Sequence, residues 1–232
     1  MAAIYFADDE KEIRDIVTAS LKNDGHQITA FETGDALLAE FKRNPCELVI
    51  LDIMMPGTDG IGILTALRAI SKVPIILLTA KDTDSDYYNG IALGSDDYII
   101  KPFKLMLLSA KVHALLRRVQ YEKDTPQTGS DLICGNLRYD GTRHEFYVGD
   151  RCLRLTPTER RFLGFMMEHF ETTVSKDVLL DEIWDMNFDV ESRAADETNR
   201  RLRKKLTDAG CDVYVQTVWG CGFKLTKKEA GR

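Results

Sequence analysis

The stretch that decides the fold is Leu48-Val49-Ile50-Leu51-Asp52-Ile53-Met54-Met55-Pro56-Gly57. Its four leading apolar residues predict a strand buried on both faces, as in a parallel sheet. The run ends on the carboxylate of Asp52, and Pro56-Gly57 then signals a turn. Because ligands of open parallel sheets bind at the carboxyl ends of the strands, Asp52 is placed for chemistry. This stretch alone leaves open an aspartate that only caps the next helix.

Similar apolar runs lie on both sides of this strand and alternate with segments of helical periodicity. The other predicted strands cover residues 4–7, 26–31, 73–78 and 97–100. The predicted helices begin near Ile13, Asp35, Asp59, Asp84 and Leu108. This alternation predicts an α/β fold, a doubly wound five-stranded parallel sheet with helices on both faces.

Polar side chains end four of these strands: Asp8 with Asp9, Asp52, Thr79 and Lys101. Parallel strands share one carboxyl edge, so we expect these groups to converge in one pocket. Clustered carboxylates repel unless a cation lies among them, and Mg²⁺ suits carboxylate oxygens. A lysine and a hydroxyl opposite them suit a phosphoryl group, which Asp52 would attack in line.

Composition limits the other possibilities. The chain has 232 residues with a net charge of −6, so a nucleic-acid surface must be a local patch. No apolar run approaches the ~20 residues that a membrane span needs, and the start does not have the pattern of a signal peptide. The five scattered cysteines have no metal-binding spacing and fit a reducing cytosol.

The second half begins after a polar segment, residues 119–131, that reads as a linker and separates the predicted domains 1–118 and 132–232. Short alternating segments over 132–155 predict a small antiparallel sheet. Thr156-Pro157-Thr158-Glu159 is a capping box that begins a helix. Two more helices, 175–184 and 192–208, and a hairpin around Trp219-Gly220 complete an α+β domain.

The helix over 192–208 is basic. Residues 193–205 hold six cationic side chains, and only Asp196 and Glu197 oppose them. Leu202 and Leu206 can face the core, so we expect the arginines on the outer face, where they could enter a major groove of DNA. A solvated amphipathic helix is the alternative.

Residues 3–118 resemble a response-regulator receiver domain, which is flavodoxin-like. The matching motifs are Asp8-Asp9-Glu10, Leu51-Asp52-Ile-Met-Met-Pro-Gly, Asp59-Gly60, Thr79-Ala80 and Lys101-Pro102-Phe103. The resemblance implies that Asp52 is the phosphoacceptor, with Thr79 and Lys101 binding the phosphoryl oxygens and Thr79 and Tyr98 acting as the switch. It also implies a Mg²⁺ site formed by Asp8, Asp9, Asp52 and the backbone carbonyl of Met54.

The second half resembles the OmpR/PhoB-type winged-helix domain. The matching motifs are Leu155-Thr156-Pro-Thr-Glu159, Leu179-Leu180-Asp-Glu-Ile-Trp184, Arg201-Leu-Arg-Lys-Lys-Leu206 and Thr217-Val-Trp-Gly-Cys-Gly-Phe223. The resemblance implies mainly phosphate contacts for Arg193, Thr198, Arg200 and Arg203, a base contact for Arg201 and a backbone contact for Trp184. The implied DNA-binding set also includes Glu197, Thr217 and Trp219.

Several positions depart from the family pattern. Glu197 and Asn199 stand where apolar residues are common, and Trp219 stands where the wing usually has an arginine. The usual dimer face has a basic residue near Asn89 and an acidic one near Leu107, and both are missing. Asp96, Asp97, Lys111 and Arg118 remain of that charge network, while Tyr87, Tyr88, Met106 and Leu107 make the face unusually apolar.

The sequence therefore predicts a cytoplasmic two-component response regulator rather than an enzyme with turnover. Its expected partners are a sensor histidine kinase, double-stranded promoter DNA, RNA polymerase and, after Mg²⁺-dependent phosphorylation, a second copy of the chain. One alternative is a regulator that binds DNA without phosphorylation and has a vestigial receiver. Another is a haloacid-dehalogenase-like phosphatase, which normally has a second carboxylate where this chain has Met54.

Overall fold

A computed structural model describes residues 1–80, 94–124, 131–184 and 193–228 of the chain. The chain divides into two compact units, Met1–Arg117 and Arg118–Arg232. None of the helices in these described ranges combines the length and apolar character that a bilayer span needs.

The first unit is built on a five-stranded parallel sheet in the order β2-β1-β3-β4-β5, as the sequence predicts. Its strands are β1 Ala3–Ala7, β2 Gln27–Phe31, β3 Leu48–Asp52, β4 Ile75–Ala80 and β5 Asp97–Lys101. The described helices are α1 Lys11–Asn23, α2 Gly34–Arg43, α3 Gly60–Ile70 and α4 Leu105–Asp124. The helix predicted near 84–93 lies outside the described residues.

Local sequence explains how these elements begin and how the sheet is buried. Asp59 caps α3, since its side chain accepts a hydrogen bond from Gly62 N at 2.7 Å. Every residue of β3 is buried, which agrees with its unbroken apolar run. Ile4, Phe6 and Ile50 pack with apolar side chains of α1 and α4 in one core cluster.

The helix α4 continues to Asp124, into the segment that the sequence predicts as a linker. The residues that disfavour a helix, Pro126 and Gly129, come only after its end. The polar composition of residues 119–124 is compatible with a helix, and this part of the predicted linker is helical in the structure.

The second unit contains two antiparallel sheets, in the orders β6-β7-β8-β9 and β10-β12-β11. Its strands are β6 Leu132–Cys134, β7 Leu137–Asp140, β8 Glu145–Val148, β9 Arg151–Cys152, β10 Thr173–Ser175, β11 Val213–Val218 and β12 Gly222–Lys227. Its described helices are α5 Pro157–Glu168, α6 Lys176–Trp184 and α7 Arg193–Asp208. The capping box predicted at Thr156 and Glu159 is present at the start of α5. The sequence did not predict the short strand β10, which pairs with β12.

Candidate functional site

Three carboxylates meet at the carboxyl edge of the parallel sheet. Asp8 and Asp9 follow β1 and Asp52 ends β3, and these two strands are paired neighbours. One oxygen from each of the three lies within 4.8 Å of the others. Asp8 and Asp52 are buried, whereas Asp9 is exposed. A buried carboxylate cluster that is open on one side has the donor set that a hard cation such as Mg²⁺ prefers.

Lys101, at the end of β5, reaches into this cluster. Its Nζ donates hydrogen bonds to Asp8 Oδ2 at 2.8 Å and to Asp52 Oδ2 at 2.7 Å. Burial raises the pKa of Asp52 and the charge of Asp8 adds to this, although the hydrogen bond and charge of Lys101 oppose the shift. Burial works to lower the pKa of Lys101, but its hydrogen bonds to Asp52 and Asp8 outweigh burial and the pKa is raised. Lys101 is therefore a cation held beside Asp52.

The loop after Asp52 is shaped by Gly60. A Cβ at residue 60 would lie 2.1 Å from the carbonyl oxygen of Asp52, so only glycine permits this approach. Gly60 N donates to Ile53 O at 3.0 Å, and Met54 N donates to Asp52 Oδ1 at 3.3 Å. The loop is thereby fixed next to the carboxylate, while the Met54 side chain is exposed.

Thr79 and Tyr98 lie on the neighbouring strands β4 and β5. Asp52 is paired with Leu78, so Thr79 lies one residue further along the same edge of the sheet. Both Thr79 and Tyr98 are buried. Lys111 Nζ lies 5.9 Å from the centroid of the Tyr98 ring, a cation–π contact. The sheet therefore brings the predicted hydroxyl to the pocket edge and the predicted aromatic to the adjacent strand.

The acidic residues expected on the dimer face are engaged inside the unit. Asp97 Oδ1 pairs with Lys111 Nζ at 2.6 Å, and both side chains are buried. Asp96 Oδ2 pairs with Arg68 Nη2 at 2.8 Å and accepts a hydrogen bond from Ile75 N. Asp96, Asp97 and Lys111, which remain of the family's charge network, are therefore buried and paired inside this unit. Tyr87, Tyr88 and Asn89 lie outside the described residues, and so does the side chain of Arg118.

The helix α7 has a mixed outer face. Asp196, Arg200 and Lys204 are exposed and follow one another at one-turn intervals. Arg200 forms a salt bridge with Glu197, 2.6 Å between Arg200 Nη2 and Glu197 Oε1. Few of the cationic side chains of α7 therefore point outward, and one of these, Arg200, is already paired with Glu197.

The structure corrects the prediction that Arg201 lies on the outer face. The Arg201 side chain is only 6% exposed, and its Nε lies 3.5 Å from Glu159 Oε1, which is fully buried. Glu159 Oε2 also accepts hydrogen bonds from Lys205 Nζ at 2.5 Å and from Thr156 N at 2.9 Å. A buried carboxylate on α5 thus turns Arg201 inward, where it does not reach a base edge.

Two other predicted DNA contacts are buried as well. Thr198 accepts a hydrogen bond from Arg201 Nη2 at 3.3 Å and faces the core with it. Trp184 ends α6 with its ring buried. Contacts of Thr198 and Trp184 with DNA are therefore not available in this structure. Asn199 is buried as its register predicts, but its Oδ1 has no hydrogen-bond partner among the residues that the structure describes.

Arg203 connects α7 to the hairpin. Its Nε donates to Val215 O and its Nη2 donates to Thr217 Oγ1 at 3.0 Å. Arg203 and Thr217 thus bind each other, although the sequence predicts DNA contacts for both. The side chain of Arg193 lies outside the described residues.

Trp219 is the large apolar residue at the tip of the hairpin between β11 and β12. It is 92% exposed, and Gly220 next to it has a φ of +73°, a conformation that favours glycine. Arg203 links this hairpin to α7 through its hydrogen bonds to β11. A molecule that binds α7 could therefore also contact the exposed indole of Trp219.

The sequence pattern indicates Glu159 only as a helix cap and does not predict its contacts with α7. The capping pattern explains one oxygen, which accepts from Thr156 N. The ion pairs with α7 come from tertiary packing. The available signal was the presence of Arg201 and Lys205 one turn apart on the same helix.

Comparisons with known proteins agree with this geometry. The family model described as response regulator receiver domain matches residues 4–113, and the model described as transcriptional regulatory protein, C terminal, matches residues 150–225. The regulatory protein VanR of Enterococcus faecium is 37% identical over 227 residues, which are 97% of this chain and 98% of VanR. The phosphate regulon transcriptional regulatory protein PhoB of Escherichia coli is 34% identical over 229 residues, which are 97% of this chain and 98% of PhoB.

A solved structure is similar over the same extent. The response regulator DrrB of Thermotoga maritima, an OmpR/PhoB homolog, is 28% identical with a TM-score of 0.52, and the match covers 97% of this chain and 99% of DrrB. The chain therefore belongs to the OmpR/PhoB family of two-component response regulators, with a receiver domain followed by a winged-helix DNA-binding domain.

Proposed function

We propose that a sensor histidine kinase phosphorylates Asp52 and that this phosphorylation controls the binding of promoter DNA. The observation that carries the proposal is the placement of Asp52 beside Asp8 and Asp9 and in hydrogen-bonding contact with Lys101. A regulator that does not use phosphorylation would have no need to keep this set together. We further propose a location in the cytoplasm, where the kinase domain, DNA and RNA polymerase are accessible.

The transfer step follows from the groups in the pocket. An oxygen of the Asp52 carboxylate attacks the phosphorus of a phosphohistidine, a P–O bond forms, the P–N bond breaks and the imidazole leaves. Asp8, Asp9 and Asp52, with the carbonyl of Met54, would hold Mg²⁺, which supplies positive charge to the transferring oxygens. Lys101 and Thr79 would bind the phosphoryl oxygens that develop charge. The chain is thus modified by the reaction and is not an enzyme with turnover.

We expect Mg²⁺ to stabilise the first unit. Binding to the folded state alone at 100 times the dissociation constant adds about 2.7 kcal/mol to the free energy of unfolding. Asp9→Asn should weaken this stabilisation, because it removes the exposed carboxylate of the site. Glu12→Gln, which changes an exposed carboxylate on α1, is the matched control.

The measurement is denaturant unfolding of the full chain with and without Mg²⁺ at constant ionic strength. Asp9→Asn should need a higher Mg²⁺ concentration than wild type and Glu12→Gln for the same gain. If Mg²⁺ raised the free energy of unfolding equally in all three proteins at each concentration, Asp9 would not be a ligand of the metal.

We propose that phosphorylation promotes a homodimer through the face around residues 84–118. Met106 is 83% exposed and Leu107 is also exposed, whereas Asp96, Asp97 and Lys111 are engaged internally. Apolar burial gives ~25 cal/mol per Å² and is insensitive to salt, whereas exposed ion pairs give ~0–1 kcal/mol and are screened.

The phosphorylated protein should therefore remain dimeric in high salt, and Met106→Ala with Leu107→Ala should weaken the dimer. Sedimentation at low and high salt measures both effects. A dimer that dissociates in high salt while the double variant behaves as wild type would contradict this interface.

DNA binding is proposed for the outer face of α7 and the hairpin tip. Arg200 and Lys204 are the exposed cations of the described part of α7, and Trp219 is exposed on the adjoining tip. The indole of Trp219 has no charge to follow a narrow minor groove, but it can stack on sugars or donate one hydrogen bond to a phosphate. Glu197 would act through Arg200, and Arg203 with Thr217 would hold the hairpin against α7.

A further inference from the structure

Arg200 and Arg201 are adjacent in sequence but occupy opposite environments. Arg200 is 59% exposed, whereas Arg201 faces the buried Glu159. Adjacent residues of a helix point about 100° apart, so only one of the pair can face outward. Of these two arginines, Arg200 is the one that faces outward in this structure.

Glu197 holds the guanidinium of Arg200 in a defined orientation. Arg200 Nε donates to Glu197 Oε1 at 2.8 Å and to Oε2 at 3.0 Å, and Arg200 Nη2 lies 2.6 Å from Oε1. Glu197 is itself only 14% exposed, so its carboxylate is set into the helix surface while the arginine projects beyond it. Glu197 thus orients the guanidinium of Arg200 in this structure.

The contact with Glu197 leaves one edge of the guanidinium available. A guanidinium has five N–H groups in a fixed planar fork. Glu197 takes the edge formed by Nε and Nη2. This leaves one hydrogen of Nη1 and one of Nη2 side by side on the distal edge, while the second Nη1 hydrogen points to the other side. Two parallel donors on such an edge match O6 and N7 of guanine in the major groove.

The same pair is poorly suited to a phosphate. The carboxylate of Glu197 offsets the positive charge of Arg200 and would repel a phosphate brought to the same side of the helix. A base edge has no net charge, so Glu197 does not repel it. The fixed orientation of the Arg200 guanidinium favours a bidentate contact with such an edge. The family pattern implies a phosphate contact for Arg200, but Glu197, which departs from that pattern, changes what this arginine can recognise.

We infer that Arg200, oriented by Glu197, reads a guanine at one position of each DNA half-site. This inference rests on the proposed DNA-binding function and names the residue that gives part of its specificity. Lys204 lies one turn further along the exposed face of α7 and has the features of a phosphate contact instead.

The test uses the full-length protein and DNA sites selected from a random pool. Binding to every single-base variant of the selected site is measured at several salt concentrations for wild type, Arg200→Ala, Glu197→Gln and the control Lys204→Ala. Arg200→Ala should reduce the preference for guanine at one position by roughly 5- to 150-fold and leave other positions unchanged. Glu197→Gln should reduce that preference while raising affinity for unrelated DNA, since a negative charge is lost.

Lys204→Ala should weaken all sites alike and reduce the salt slope by about 0.9. If Arg200→Ala behaves in this same uniform way, Arg200 contacts a phosphate and the inference is overturned. If Glu197→Gln leaves base preference unchanged, the orienting role is wrong. If the wild type selects no sequence at all, the proposed DNA-binding function fails together with the inference, and that outcome is distinct from both others.

Discussion

Asp52→Asn should abolish Mg²⁺-dependent labelling of this chain by a small acyl phosphate. In wild type an oxygen of Asp52 attacks phosphorus and the carboxylate of the donor leaves. The amide of asparagine is a poor nucleophile, and Asp52 is the carboxylate that ends the central strand β3 while its Oδ2 pairs with Lys101. Intact-mass measurement should show one phosphoryl group on wild type and none on the variant.

Asp15→Asn is the matched control, because Asp15 is an exposed carboxylate on α1 away from the cluster. It should be labelled to the same extent as wild type. Equal labelling of Asp52→Asn and wild type would show that Asp52 is not the phosphoacceptor. Labelling that persists without Mg²⁺ would show that the transfer does not need the metal.

Glu159→Ala should strongly destabilise the second unit. Glu159 is fully buried and lies between Arg201 and Lys205, so its loss removes the carboxylate that faces the buried guanidinium of Arg201. Removal of one partner of a buried ion pair costs about 3–5 kcal/mol. Glu168→Ala, which changes an exposed residue of the same helix α5, should cost within about 0.5 kcal/mol.

Tryptophan fluorescence during urea unfolding measures this effect, because both tryptophans, Trp184 and Trp219, belong to the second unit. The double change Glu159→Met with Arg201→Met should recover much of the stability, since an apolar pair of similar volume can replace a buried ion pair. A loss below 1 kcal/mol for Glu159→Ala would show that the pair is not a buried structural contact.

The receiver pocket could be predicted from sequence because its geometry follows from local rules. An unbroken apolar run predicts the buried strand β3, and strand ends of a parallel sheet share one edge, so Asp8, Asp52 and Lys101 must converge. Neither inference needs knowledge of side-chain partners in distant parts of the chain. The observed hydrogen bonds of Lys101 to Asp8 and Asp52 agree with this expectation.

The outer face of α7 could not be predicted in the same way. Helical periodicity groups Leu202 and Leu206 on the inner side, but it leaves the neighbouring Arg201 near the boundary between the two faces. The orientation of Arg201 is set by Glu159, a residue on another helix, whose buried carboxylate attracts Arg201 and Lys205. A DNA contact was likewise predicted for Arg203, but in the structure its guanidinium donates hydrogen bonds to residues of the strand β11.

Phosphorylation of Asp52 is proposed to control DNA binding. The most direct measurement is the affinity of the full-length protein for a site selected from random DNA, with and without an acyl phosphate and Mg²⁺, for wild type and Asp52→Asn. We expect the phosphodonor to strengthen DNA binding by wild type at least about tenfold, which is about 1.4 kcal/mol, and to leave the affinity of Asp52→Asn unchanged. Equal affinity of wild type with and without the donor, under conditions where intact mass confirms phosphorylation, would contradict it.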